Sequence, residues 1–180
     1  MANKNTKLIQ ISAALLGIAF SFAGFWIYVT YGKPSGSKTA LDGVNYVTNE
    51  NLPAVDLIDT GGKELFPEDF RNGKVLLLYF STNCHACDKE IEIINVNQEK
   101  LSTQVQIVGI SPDSVETVQE YKLKNNIKFP IFVDSKREFG LKLKIRQVPT
   151  NYLIVNNVIS KTWIGNPKNI DDLRAQLIIE

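Results

Sequence analysis

The run Val75-Leu76-Leu77-Leu78-Tyr79-Phe80, followed by Ser81-Thr82-Asn83 and then Cys84-His85-Ala86-Cys87, decides the fold. A continuous apolar run of this kind predicts a central strand covered on both faces. Beyond the cysteines, residues 85–101 place Cys87, Ile91, Ile94 and Leu101 on one helical face, and Val105 to Ile110 reads as a second buried strand. Strand, helix and strand in that order predict a parallel pair joined by a right-handed crossover.

Working outward, Ala54-Val55-Asp56-Leu57-Ile58 and Lys63-Glu64-Leu65-Phe66 flank Asp59-Thr60-Gly61-Gly62, a hairpin signal in which glycine supplies the positive φ of a tight turn. Downstream, Asp113 with Glu116 has the pattern of a capping box opening a helix that turns Val115, Val118 and Tyr121 inward. Phe129 to Val133 predicts a short strand, followed by a helical turn through Glu138 and Leu141. Asn151 to Val155 and Val158 to Trp163 predict two strands around an Asn156-Asn157 turn. Asn166-Pro167 then predicts the opening of a last helix with Ile170, Leu173 and Leu177 facing inward. The expected order is β-hairpin, βαβ, α, β, ββ, α, with no internal repeat.

The chemistry sits at the cysteines. At the start of a helix the backbone N–H groups have no intrahelical partner, and together with the helix dipole they favour a thiolate over a thiol. Cys84 is therefore the expected nucleophile. Cys87, one turn on and more sheltered, is the expected resolving thiol. A structural disulfide here would close too short a ring to gain much chain entropy. Zinc normally takes four ligands, whereas the chain offers two cysteines and the single His85 between them. Two inert buried thiols are the remaining plain alternative.

The segment Phe80-Ser81-Thr82-Asn83-Cys84-His85-Ala86-Cys87-Asp88-Lys89-Glu90 resembles the active site of the membrane-anchored, thioredoxin-like thiol-disulfide reductases, the TlpA/ResA group. Gln147-Val148-Pro149-Thr150 resembles their second signature, a cis-proline loop before a strand. The resemblance runs from about Asn51 to Ile179. It implies an α/β, thioredoxin-like fold, a central mixed sheet flanked by helices, with an N-terminal β-hairpin extension. It also implies that Val148 and Pro149 form a cis bond facing the disulfide, where the backbone before the proline can pair with a substrate strand. Glu90 matches the acidic residue three positions after the second cysteine. On a helix it shares a face with Cys87 and is placed to take that thiol's proton, although a solvated surface glutamate fits the sequence equally well.

Departures from the group's pattern bear on the reduction potential. Asn83 stands where the group has tryptophan, which removes an apolar shield, and Ala86 stands where it has proline, which frees a backbone N–H. His85, when protonated, would favour the Cys84 thiolate and make the disulfide more oxidising. The direction of electron flow is therefore left open by the motif. The resemblance implies protein disulfides as substrates, a membrane protein as electron donor, and no cofactor beyond the dithiol. A second resemblance is to AhpC/TSA peroxiredoxins, carried by Val108-Gly109-Ile110-Ser111-Pro112-Asp113; Ser81 sits correctly relative to Cys84 for a peroxidatic site, but Leu77 stands where proline belongs. A third reading is a copper(I) metallochaperone holding the ion through both thiolates.

Compartment is set by the N-terminus. From Leu8 to Gly32 there are twenty-five residues without a charge, ending in Trp26, Tyr28 and Tyr31, and a hydrocarbon core about 30 Å thick needs roughly 20 helical residues to cross. Residues 8–32 are thus expected to be a single transmembrane anchor in the lipid bilayer. The competing reading is a signal peptide cleaved after Ser21-Phe22-Ala23. Lys4 and Lys7 are expected to keep residues 1–7 in the cytoplasm, leaving a linker over 33–51 and the redox domain over 52–180 on the extracytoplasmic side of the cell membrane. The residues after Gly32 carry 18 Lys+Arg against 19 Asp+Glu, a balance that argues against a nucleic-acid partner.

Overall fold

A computed structural model describes residues 50–65, 70, 72–165 and 167–178. The predicted anchor, the linker up to residue 49, and Phe66 and Asn166 lie outside the described residues.

Lys74 to Tyr79 form the strand that organises the domain, and Phe80 follows it. In β4 (Lys74–Tyr79) side chains alternate between faces, yet every residue from Val75 to Tyr79 is buried. Leu76, Leu78 and Phe80 enter one core with Cys87, Ile91, Ile94, Val118 and Leu173. Val75, Leu77 and Tyr79 enter another with Val108, Ile110, Phe139, Tyr152 and Ile154. The unbroken apolar run is the signature of a strand with a core on each side. It pairs in parallel with β5 (Gln106–Ser111) and antiparallel with β7 (Thr150–Val155).

The remaining strands are β1 (Glu50–Asn51), β2 (Leu57–Asp59), β3 (Glu64–Leu65), β6 (Ile131–Val133) and β8 (Val158–Ile164). They complete a mixed eight-stranded sheet ordered β1-β8-β7-β4-β5-β6-β2-β3. The β2–β3 hairpin is the expected N-terminal extension: it turns through Gly62 at φ 83° and lays β2 antiparallel to β6. The side chain of Asp59 fixes the turn by accepting the N–H groups of Gly61 and Lys63, each at 2.8 Å. Asn156 and Asn157, both at positive φ, turn β7 into β8, in the left-handed region that asparagine tolerates. The short strand β1, on the edge beside β8, was not foreseen and takes the last two residues of the stretch read as linker.

Three helical expectations need correcting. The helix expected over 85–101 is two helices, α1 (His85–Val96) and α2 (Gln98–Ser102), broken at Asn97, whose side-chain amide donates to the Ile93 carbonyl at 2.8 Å. A side chain competing for backbone acceptors in this way ends a helix that periodicity alone would continue. The cap of α3 (Val115–Lys124) is Ser114, which accepts the Thr117 N–H, and not Asp113. The last helix, α5 (Ile170–Gln176), begins three residues after Pro167, because the Asn169 carboxamide accepts from both Asp171 and Asp172 N–H groups. Helix α4 (Glu138–Lys142) stands at the expected turn.

Candidate active site

Sheet order places the end of β4 between β7 and β5, and the chain leaves it through Ser81-Thr82-Asn83 into α1. Cys84 is the N-cap of α1, in extended conformation, and its sulfur accepts the Cys87 N–H at 3.1 Å. That is the place a serine or aspartate oxygen usually takes at a helix start. Cys84 and Cys87 form a disulfide with their Cα atoms 5.1 Å apart. Cys84 is half-buried and Cys87 is fully buried, so an incoming sulfur meets Cys84 first.

The Val148–Pro149 peptide bond is cis, and the Val148 carbonyl oxygen lies 3.8 Å from the Cys84 sulfur. Since a disulfide sulfur carries no proton, this is a contact rather than a hydrogen bond. The loop is braced by Thr150, whose hydroxyl donates to the Gln147 carbonyl at 2.7 Å, and by the Gly165 N–H donating to the Pro149 carbonyl at 3.0 Å.

Glu90 is fully buried, not the solvated surface residue the sequence also allowed. The Asn151 side-chain amide donates to its Oε2 at 3.3 Å, and Oε1 has no partner among the described residues. Burial pushes the Glu90 carboxyl up to about 8, only partly offset by that hydrogen bond. At neutral pH Glu90 therefore holds a proton most of the time and can exchange it near working pH. Cys87 and Glu90, both buried, are one helical turn apart on α1. His85 and Asn83 are exposed, and Ala86 is half-buried.

Two residues at the site were missed in the sequence. Asp113, expected as a helix cap, instead staples the active-site loop: its Oδ2 accepts from the Thr82 N–H at 2.7 Å, the Thr82 hydroxyl at 2.9 Å, and the Ser81 and Ser111 hydroxyls at 3.1 Å each. Desolvation raises its pKa, but the bonds from Thr82, Ser81 and Ser111 outweigh that and hold the carboxyl below its ordinary value. Asn151 holds Glu90. The readable signal was an asparagine inside an otherwise apolar strand, since a buried amide requires a partner.

Comparison with known proteins agrees with this geometry. The sequence profile of the AhpC/TSA family matches residues 48–162. Thiol-disulfide oxidoreductase ResA of Bacillus cereus is 25% identical over 154 residues, covering 84% of this chain and 83% of that protein. Sporulation thiol-disulfide oxidoreductase A of Bacillus subtilis is 28% identical over 129 residues, 68% of this chain and 78% of the relative. Among solved structures, StoA from Bacillus subtilis superposes with a TM-score of 0.59 at 24% identity, covering 70% of this chain and all of that one. The thioredoxin domain of a thiol-disulfide oxidoreductase from Bacteroides vulgatus gives 0.59 at 19% identity, with 72% and 94% covered. These superpositions identify the fold as thioredoxin-like.

Proposed function

The chain belongs to the AhpC/TSA family and is a thioredoxin-like thiol-disulfide oxidoreductase, and we propose that it reduces disulfides of partner proteins outside the cytoplasm, with Cys84 as nucleophile and Cys87 as resolving thiol. The observation that carries the assignment of roles is the Cys87 N–H donated to the half-buried Cys84 sulfur at the start of α1, while Cys87 itself is sealed in the core. A thiolate at Cys84 attacks one sulfur of the substrate disulfide; that bond breaks, the second substrate sulfur leaves as a thiolate, and a mixed disulfide forms. Cys87 loses its proton to the ionised fraction of Glu90, which grows as pH approaches 8, and attacks the Cys84 sulfur, releasing the substrate as a dithiol and leaving the Cys84–Cys87 disulfide. Two electrons have passed to the substrate, so a membrane dithiol donor must return them. The backbone at Val148, beside the sulfur, receives the substrate strand. Residues 8–32 anchor the domain to the membrane.

Two other readings have less support. In the peroxidase reading the Ser81 hydroxyl serves the peroxidatic sulfur, but here it donates to Asp113, and Leu77 is an interior strand residue paired with Val108 and Tyr152. The copper(I) metallochaperone reading has only the Cys84 and Cys87 thiolates to hold the ion, with a single histidine, the exposed His85, and Met1 as the one methionine of the sequence.

The test is Cys87→Ser in the full-length protein. Without the resolving thiolate the mixed disulfide at Cys84 persists, and the covalent partner is recovered by mass spectrometry under non-reducing conditions. Partners trapped only by Cys84→Ser would reverse the two roles.

A further inference from the structure

The domain is nearly neutral, yet its positive charge is not spread evenly. Between Lys136 and Arg146 lie five Lys or Arg against the single Glu138. This segment is α4 and its flanks, and it leads directly into the Gln147-Val148-Pro149 loop. Lys142 donates to the Ala54 carbonyl at 2.7 Å and Arg137 acts electrostatically on the Tyr79 hydroxyl; Arg137, Lys144 and Arg146 make no ion pair or hydrogen bond through their side chains among the described residues.

These cations border two open cavities. One, of about 300 Å³, is lined by Ser81, Asp113 and Val148 together with Arg137 and Arg146. The other, of about 370 Å³, is lined by Lys144, Arg146, Tyr152 and Glu50 among others. Ile145, Arg146 and Gln147 line both, so both cavities adjoin the stretch that leads into Val148. The acids lining the two cavities are Asp113 and Glu50, and Asp113 is already committed to four donors. Arg137 and Lys144 also sit at φ 59° and 53°, where glycine or asparagine would be less strained. The segment thus keeps cations where local backbone preference would choose other residues.

We propose that this groove selects substrates by charge: it takes an extended protein segment with Asp or Glu beside the disulfide to be reduced. The proposal rests on the oxidoreductase reading above and names its substrate class. An acidic peptide is favoured over an anionic lipid surface because Arg137 and Arg146 line a cavity together with Val148, whose carbonyl lies 3.8 Å from the Cys84 sulfur. A membrane docked there would cover the sulfur that has to meet substrate.

The experiment uses the reduced full-length protein in neutral-detergent micelles and a short peptide closed by one disulfide, flanked on both sides by Glu, by Gln or by Lys. The Glu peptide is expected to show about 10-fold higher kcat/KM than the Gln peptide, the low end of what electrostatic steering supplies, and the Lys peptide a lower value still. The preference should shrink as salt is raised past ~0.15 M, where the screening length falls to about 8 Å. The triple variant Arg137→Gln, Lys144→Gln, Arg146→Gln should bring the Glu peptide down to the Gln level, while the charge-keeping Lys144→Arg, Arg146→Lys variant should retain the preference. Equal kcat/KM for all three peptides overturns the charge proposal alone. Failure to reduce any of them removes the oxidoreductase reading and the proposal with it. Slower alkylation of Cys84 in phosphatidylglycerol than in phosphatidylcholine vesicles, abolished by the triple variant and unaccompanied by peptide preference, would assign the cations to a lipid surface instead.

Discussion

Glu90 is a buried group whose protonation bears on stability and, in the proposed mechanism, on turnover. Its folded pKa, about 8, lies above the ordinary 4.5, so between those values the folded protein holds a proton that the unfolded chain has lost. Its stabilising contribution is therefore complete below about pH 4.5 and is lost as pH rises toward 8, with a slope of at most ~1.4 kcal/mol per pH unit. Glu90→Gln, which cannot ionise, should flatten the fall in urea-unfolding free energy of the oxidised protein between pH 5 and 8. If Glu90 is also the base for Cys87, turnover should rise with pH toward 8 in the native protein. The variant should lose that rise and slow by roughly 10²-fold, the low end of general-base effects. Alkylation of Cys84 should not change. A flattened stability profile with unaltered turnover would make Glu90 a structural group and leave water to take the proton.

At the scale of elements, hydrophobic patterning announced the sheet, because alternating faces and apolar runs are set by what each strand buries. Val75 to Phe80, Val105 to Ile110 and the two strands around Asn156-Asn157 were legible for that reason. The helix boundaries were not. Asn97, Ser114 and Asn169 act through single side-chain hydrogen bonds that leave the apolar period unchanged. In the site, the cysteines, the Val148-Pro149 loop and the candidacy of Glu90 were visible, whereas the Asp113 staple depends on β5 ending next to the β4–α1 loop and needs the folded sheet to be seen. Helix α4 gives a further case. Asp134, buried, accepts from the Tyr79 hydroxyl at 3.1 Å and from the Phe139 and Gly140 N–H groups at 3.1 and 3.0 Å. A Cβ on Gly140 would stand 2.7 Å from the Tyr79 oxygen, and that ring is stacked on Phe139. Gly140→Ala should therefore push the phenol off Asp134 and cost about 1–3 kcal/mol. Tyr79→Phe combined with Gly140→Ala should cost less than the two changes summed, since both act on the same hydrogen bond. Strict additivity in chemical denaturation would show that the close approach is absorbed elsewhere.

For the whole molecule the question is which side of a membrane the domain works on. Lasting protein disulfides are found mainly outside the cytosol, where thiols are not held reduced, so a reductase of such disulfides has its substrates there. The sequence supplies the means: twenty-five uncharged residues from Leu8 to Gly32, with Lys4 and Lys7 on the near side. The positive-inside tendency would hold those lysines in the cytoplasm and send everything after Gly32 across. A phosphatase reporter fused after Glu180, active only when exported, should then be active, and a cytoplasm-dependent reporter at the same place should be silent. The chain should stay in the membrane fraction after alkaline carbonate washing, and its mature form should retain the sequence before Ala23. A mature chain beginning at Gly24 and released to the soluble fraction would replace the anchor by a cleaved signal, but the domain would still be exported and the active-site reading would stand. An active cytoplasmic reporter would place the disulfide among reducing thiols and remove the physical case for an exported reductase.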